Sequence, residues 1–252
     1  MKIFVTYSNT PACIEFGNTM HKKFLKQPDI YIPILGGKAL YTGNNKFLKY
    51  MQGDDIGENI STLNPYINEH TVIYWVGKHL DKIKDDYIGF CHYRRLFNIP
   101  EENEIIPSTG NSQLNENTIY INKMTFGISN GLYFLLNHDP NTVRTFSEFI
   151  QKFIRTFPNN VNDFVSFLNS NILFSGNMFI MHKNLFKKYM EIILPIYNIL
   201  FNMIYQFPNV SDRSFGFILE RMTTYVILQI ANLNSNVKIE QGNYIKLGDT
   251  IT

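Results

Sequence analysis

Apolar residues fall first into short unbroken runs and later into helical stripes. Lys2 to Tyr7 (KIFVTY) is a β-rich run ending in the turn-prone Ser8-Asn9-Thr10-Pro11, and Ile30 to Leu35 (IYIPIL) is a second, ending in Gly36-Gly37. Short apolar runs bounded by turn signals predict buried strands. Asn64-Pro65 then offers an N-cap and a first-turn proline, and a helical pattern follows to about Leu80. Val72, Ile73, Val76 and Leu80 share one face of it. Glu69 lies one turn earlier on the same stripe, which aims its carboxylate beyond the helix's N-terminal end.

Tyr87 to Cys91 (YIGFC) predicts a third strand running directly into His92-Tyr93-Arg94-Arg95, and the polar stretch 98–117 predicts a loop. Val143, Phe146, Ile150, Phe153 and Phe157 repeat at helical spacing, and Ile172 to Met181 (ILFSGNMFIM) reads as a buried strand interrupted at Ser175-Gly176-Asn177. A long helix with Phe186, Tyr189, Ile193, Leu200 and Ile204 inward and a kink at Pro195 follows. A last helix runs from Arg213 to about Leu233, with Phe215, Leu219, Met222, Val226 and Ile230 inward. Strands alternating with helices over the first hundred residues predict an α/β fold with a mostly parallel sheet flanked by helices and a helical C-terminal part. Such sheets bind ligands at the carboxyl ends of their strands.

Composition adds boundaries. With 44% hydrophobic and 15% aromatic residues among 252, the chain can bury a large core, which excludes disorder. A net charge of +2 argues against nucleic acid as a partner and leaves any anion site local. Cys13 and Cys91 fit neither a zinc knuckle nor a disulfide scaffold, so a reducing cytoplasm is expected. The start of the chain lacks a secretory signal, and Glu191, Pro195, Asn198 and Asn202 make Tyr189 to Phe207 a poor membrane span. The expectation is a soluble protein, with attachment at the inner face of a membrane and homodimer formation left open.

The strongest chemical signal is DDYIGFCHYRRLF, Asp85 to Phe97, in which a buried strand delivers an imidazole and two guanidiniums to one loop. Two arginine forks there suit an anion, and a diphosphate is the natural candidate. The alternative is that Arg94 and Arg95 pair with surface carboxylates and His92 is structural. Gly36-Gly37-Lys38 and Gly53-Asp54-Asp55 fall in loops near the same edge without matching a phosphate-binding fingerprint. Arg213, Gly216 and Glu220 form a stripe on the last helix with glycine giving room between two charges; a plain salt-bridged flank, with Arg221 in solvent, is the other reading. The six histidines make no metal pattern, and no G-x-S-x-G elbow occurs. Glu69, Asp54, Asp55, Asp139 and Glu220 remain as acid/base candidates.

Four segments in order, YIPILGGKAL, DDIGENISTLNPYINEHTVIYWVGKHL, DDYIGFCHYRRLF and GNMFIMHKNLF, with RSFGFILER after them, resemble the glycosyltransferases of capsular and exopolysaccharide biosynthesis. The resemblance covers nearly the whole chain. It implies a GT-A-like (Rossmann-like) fold in a single domain over 1–252, with 1–97 as the nucleotide-sugar half and 98–252 as the acceptor half. It further implies a nucleotide-sugar donor, often a UDP-hexose or UDP-galactofuranose, and a glycan or glycolipid acceptor. The positions carried over are Gly37, Asn59, Ser61, Glu69, Tyr74, Trp75, His92, Tyr93, Arg94, Arg95, Asn177, Met178, Arg213, Gly216, Glu220 and Arg221. The stretch between Arg95 and Phe174 and the glycine at 77 depart from the family pattern.

On this reading Thr6, Gly37, Lys38, Asp54, Asp55, Asn59, His92, Tyr93, Arg94 and Arg95 face the donor diphosphate. Asn177, Met178, Arg213, Gly216 and Arg221 face the acceptor, and Glu69, Glu220 and His92 are the catalytic candidates. Where many GT-A enzymes carry a metal-binding D-x-D, this chain reads His92-Tyr93-Arg94, so fixed cations are expected to replace the metal. Asp54-Asp55 keeps Mn²⁺ or Mg²⁺ open as a cofactor. A binding module without turnover, or a nucleotidyltransferase using adjacent carboxylates, are the competing classes.

Overall fold

The computed structural model describes residues 1–8, 29–93, 95–97, 114–206, 213–242 and 244–246. Cys13, Arg94 and most of the loop expected at 98–117 lie outside the described residues. Among the described residues nine strands form one sheet: β1 (Lys2–Tyr7), β2 (Tyr31–Leu35), β3 (Gln52–Gly53), β4 (Tyr87–His92), β5 (Arg95–Phe97), β6 (Thr118–Thr125), β7 (Ile172–His182), β8 (Lys238–Gln241) and β9 (Tyr244–Lys246), in the order β3-β2-β1-β4-β7-β6-β8. β5 pairs with β4, and β9 with β5. The first half is parallel, β1 lying between β2 and β4. The second half differs from the expected parallel arrangement, because β7 enters antiparallel to both β4 and β6.

Alternation along β1 explains why its apolar run is unbroken. Ile3, Val5 and Tyr7 enter one hydrophobic cluster with Leu35 and Cys91, while Phe4 enters the other with Ile34, Ile88 and Phe90. Both faces are buried, as the α/β architecture requires. The larger cluster lies beneath helices α3 (His70–Lys78), α5 (Pro140–Thr156), α7 (Lys183–Gln206) and α8 (Ser214–Leu233). Shorter helices are α1 (Lys46–Tyr50), α2 (Asn64–Ile67), α4 (Asn130–Asn137) and α6 (Val161–Asn169).

The five apolar residues expected inward on α8 are all buried, as are Ile218, Tyr225 and Ile227, so this helix is apolar nearly all round and runs through the core. Pro195 sits inside the 24-residue α7, where it removes one backbone donor. The helix expected over 64–80 is in fact two. It breaks at Asn68, whose φ is 52°, and Asn64 does not cap it: the Asn64 Nδ2 donates to the Asn68 carbonyl at 2.8 Å and to Thr71 Oγ1 at 3.0 Å, holding the break open. Glu69 consequently stands at the very start of α3. No helix among the described residues is long and apolar enough to cross a membrane.

Candidate functional site

The carboxyl ends of β1, β2 and β4 converge on a cleft of about 440 Å³. Thr6 and His92 are register partners across β1 and β4, and the Tyr93 N–H continues the ladder to the Thr6 carbonyl at 3.2 Å. Beside them the β2 end turns through Gly36 and Gly37. Gly37 has φ 71°, and a Cβ there would come within 2.7 Å of the Asn64 side chain, so only glycine fits both the backbone and the space.

That turn is held from behind by Asp54. Its fully buried carboxylate accepts the N–H groups of Gly37 and Lys38, each at 3.1 Å, and the Ser61 hydroxyl at 2.5 Å. This corrects the expectation for Asp54: its oxygens are engaged by the turn, and it does not line the cleft. Lys38 is corrected too, since its ammonium donates to the carbonyls of Leu48 and Lys49 at 2.6 and 2.7 Å, closing the last turn of α1. Asp55 is exposed outside the cleft, and Asn59 braces the 55–57 turn through its amide. Trp75 likewise serves the fold, its indole donating to the Ile56 carbonyl at 2.7 Å.

A side chamber of about 130 Å³ opens off the cleft, and Asn68, Glu69, His92 and Arg213 line both. Its floor is an irregular point of β7 where Gly176 and Asn177 have φ of 70° and 51°. The interruption expected there is thus a bulge inside a continuous strand. Each bulge residue holds one carboxylate. The Gly176 N–H donates to Glu220 Oε1 at 2.5 Å, and Asn177 Nδ2 donates to Glu69 Oε1 at 3.0 Å. Arg95 borders the same chamber and donates to Ser175 Oγ at 3.2 Å. Gly216 lines the chamber and makes room for the Asn68 side chain, whose amide a Cβ there would meet at 2.1 Å.

Electrostatics separate the acidic and basic members. Burial raises the Glu69 carboxyl above its ordinary value; Glu220 pushes the same way, while the Glu69 backbone, Asn177 and Arg213 pull it down. Directly behind it, His70 is fully buried, and burial lowers its imidazole to about 3, so it is neutral there. Its Nδ1 lies 2.8 Å from the Tyr197 hydroxyl.

Two expected acceptor residues do not reach the site. Met178 is fully buried in the smaller hydrophobic cluster, on the face opposite Asn177. Arg221 is neither in solvent nor in the cleft: it is buried with its guanidinium 4.5 Å from the Phe134 ring centroid and donates to the Phe217 carbonyl at 3.1 Å. Desolvation lowers it to about 10. Tyr7, Ser8, Asn68 and Phe217 line the site without having been counted as site residues from sequence, as do Asn64 and Pro65, which the sequence marks only as a helix start. Among the described residues no group of three or more His, Cys, Asp or Glu side chains could hold a metal ion, and the Asp54 carboxylate is engaged by the Gly37 and Lys38 N–H groups and the Ser61 hydroxyl.

A family model described as a domain of unknown function, DUF4422, matches residues 17–230. No curated protein matches the sequence. Among solved structures, the WbbM bifunctional glycosyltransferase in its apo form is similar over 98% of this chain, with a TM-score of 0.69 and 20% identity. The chain spans 45% of that protein's length, and the likeness shows a shared α/β fold in which a central sheet is flanked by helices.

Proposed function

We propose that this chain, which belongs to the DUF4422 family, is a glycosyltransferase that moves a hexosyl unit, galactofuranosyl included, from a nucleotide sugar to a glycan or glycolipid acceptor in surface polysaccharide synthesis. The observation that carries this reading is the meeting of two chambers at Glu69, His92 and Arg213, one sized for a nucleotide and one for a small polyhydroxyl group. Small-molecule sites commonly measure ~300–1,000 Å³, a range that includes the larger chamber. Its place at the carboxyl ends of parallel strands is where α/β sheets bind such ligands. The structural neighbour whose title names a glycosyltransferase supports the same reading.

In this reading the diphosphate, UDP-linked, lies along residues of the 1–97 half, with Arg213 reaching in from the other half. Arg213, which lines both chambers, supplies the positive charge that meets the departing diphosphate, with the His92 ring beside it and Arg95 bordering the side chamber. The acceptor hydroxyl enters the side chamber, where Glu69 takes its proton. The acceptor oxygen then bonds to the anomeric carbon, and the bond from that carbon to the diphosphate breaks, its electron pair leaving on the phosphate oxygen. The geometry favours Glu69 over Glu220 as base, because Glu69 borders both chambers and Glu220 only the smaller one.

A thermal-shift series with UDP, GDP, CMP and dTDP sugars, each with and without Mn²⁺, tests this. A ligand at 100 times its Kd adds about 2.7 kcal/mol of stability. Stabilisation by one nucleotide sugar, followed by its turnover with a glycan acceptor, is the expected result. Binding without turnover would instead identify a carbohydrate- or nucleotide-binding module, and no stabilisation by any of them would overturn the assignment of the cleft.

A further inference from the structure

Glu69 and Asn177 are 108 positions apart in sequence, yet the amide donates to the carboxylate at 3.0 Å in a half-buried setting. An ionised carboxylate only accepts hydrogen bonds, so the atom facing it is the Asn177 NH₂ and the amide oxygen turns the other way. That Oδ1 is buried, in a residue only 3% exposed, without a hydrogen bond of ordinary length, and the buried His70 imidazole is the group that interacts with this side chain from the core. A side chain buried this deeply, on a backbone held at φ 51°, costs stability. Backbone geometry does not require an asparagine there, because glycine, which stands one position before it, would hold the same conformation more easily.

We infer that Asn177 is a positioning residue for Glu69: its amide, presented by the left-handed bulge of β7, fixes one carboxylate oxygen so that the carboxylate stays at the junction of the two chambers. The inference rests on the reading of Glu69 as the base of a transfer reaction. The bulge performs the same office for Glu220 through the Gly176 N–H, so both carboxylates are set by consecutive residues of one strand. His70, neutral and fully buried, adjoins Glu69 in sequence and interacts with the Asn177 side chain from the core side. The other charged groups acting on Glu69 are Glu220, which raises it, and Arg213, which lowers it; His92 and Arg95 line the same chamber.

Two substitutions separate positioning from mere support. Asn177→Gly keeps the left-handed backbone and removes the amide, and Asn177→Asp keeps the shape but replaces the donor with a second acid. The readout is ¹³C NMR of protein labelled at glutamate Cδ, with Glu69→Gln assigning the signal. Glu69 is expected to titrate above 4.5 in the native protein. Losing the amide donor destabilises the ionised form, so the midpoint moves upward by about one pH unit in Asn177→Gly and further in Asn177→Asp. The acid limb of kcat/KM moves with it and the high-pH plateau falls, whereas a purely structural role would lower the rate without moving the limb. An unchanged or lowered Glu69 midpoint in both variants overturns the inference. Failure to find any transfer would overturn the functional reading instead, and the titration would still decide whether the amide sets the carboxylate.

Discussion

The Asn64 side chain occupies the space that a methyl group on Gly37 would need, its Cβ standing 2.7 Å from where that group would sit. The turn closing β2 and the break between α2 and α3 are therefore fitted to one another, because the same Asn64 amide also holds Asn68 and Thr71.

Gly37→Ala should consequently destabilise the protein by about 2 kcal/mol or more, combining the cost of a left-handed alanine with the collision at Asn64. Urea unfolding measures the loss. A stability within 0.5 kcal/mol of the native protein (about the range of neutral surface changes) would show that the turn relaxes freely.

Arg213 is exposed at the mouth of both chambers, so Arg213→Ala should leave stability nearly unchanged. Its expected effect is on the ligand. Loss of a charge-assisted contact to phosphate should weaken nucleotide-sugar binding roughly 10- to 100-fold. Calorimetric titration of both proteins with UDP-glucose and the other sugar nucleotides would read this directly, and equal affinities would remove Arg213 from the donor site.

His70 gives a pH dependence of defined sign. Its imidazole is lowered to about 3 by burial, well below the value of an unfolded chain, so the unfolded state takes up a proton first as pH falls. The contribution is complete above about pH 6.5 and is lost progressively as pH falls towards about 3, amounting to roughly 2 kcal/mol by pH 5. Denaturant unfolding at pH 7 and pH 5 should show this slope, and His70→Gln should flatten it. A slope shared by the variant would place its origin elsewhere.

Arg221 makes no ion pair among the described residues, and its Nε is buried without a partner. Replacing such a buried charge by an apolar side chain of similar length should change little. Arg221→Met is expected to stay within about 1 kcal/mol of native stability or exceed it. Acceptor kinetics should be unaffected, and a rise in acceptor KM would return Arg221 to the site.

Much of this arrangement could be read from the chain. Apolar runs located β1, β2, β4 and β7, and the stripe on α8 gave both its buried face and the charged flank bearing Arg213, Gly216 and Glu220. Spacing does not give direction, and that is where expectations failed. Asn177 and Met178 are neighbours in a strand, so one faces the site while the other enters the core. Glu220 and Arg221 differ by about 100° around a helix, with the same result. Asp54 and Lys38 have the chemistry of ligand-binding residues, but their partners are backbone groups brought close only by folding. β6 and the short helices α4 and α6 went unread because their apolar patterns are brief and set among polar residues. Asn68 left a signal only in retrospect, as an asparagine able to take the left-handed conformation that breaks a helix.

Trp75 is the single tryptophan of the chain, and its indole joins α3 to the segment before α2 through the Ile56 carbonyl. Every photon of tryptophan emission therefore originates on the helix that begins immediately after Glu69. At 9% exposure, with the His79 ring 4.9 Å away, the indole should emit towards the blue and redden when this helix loosens. The protein thus carries its own optical gauge of the scaffold behind the cleft, read without a label.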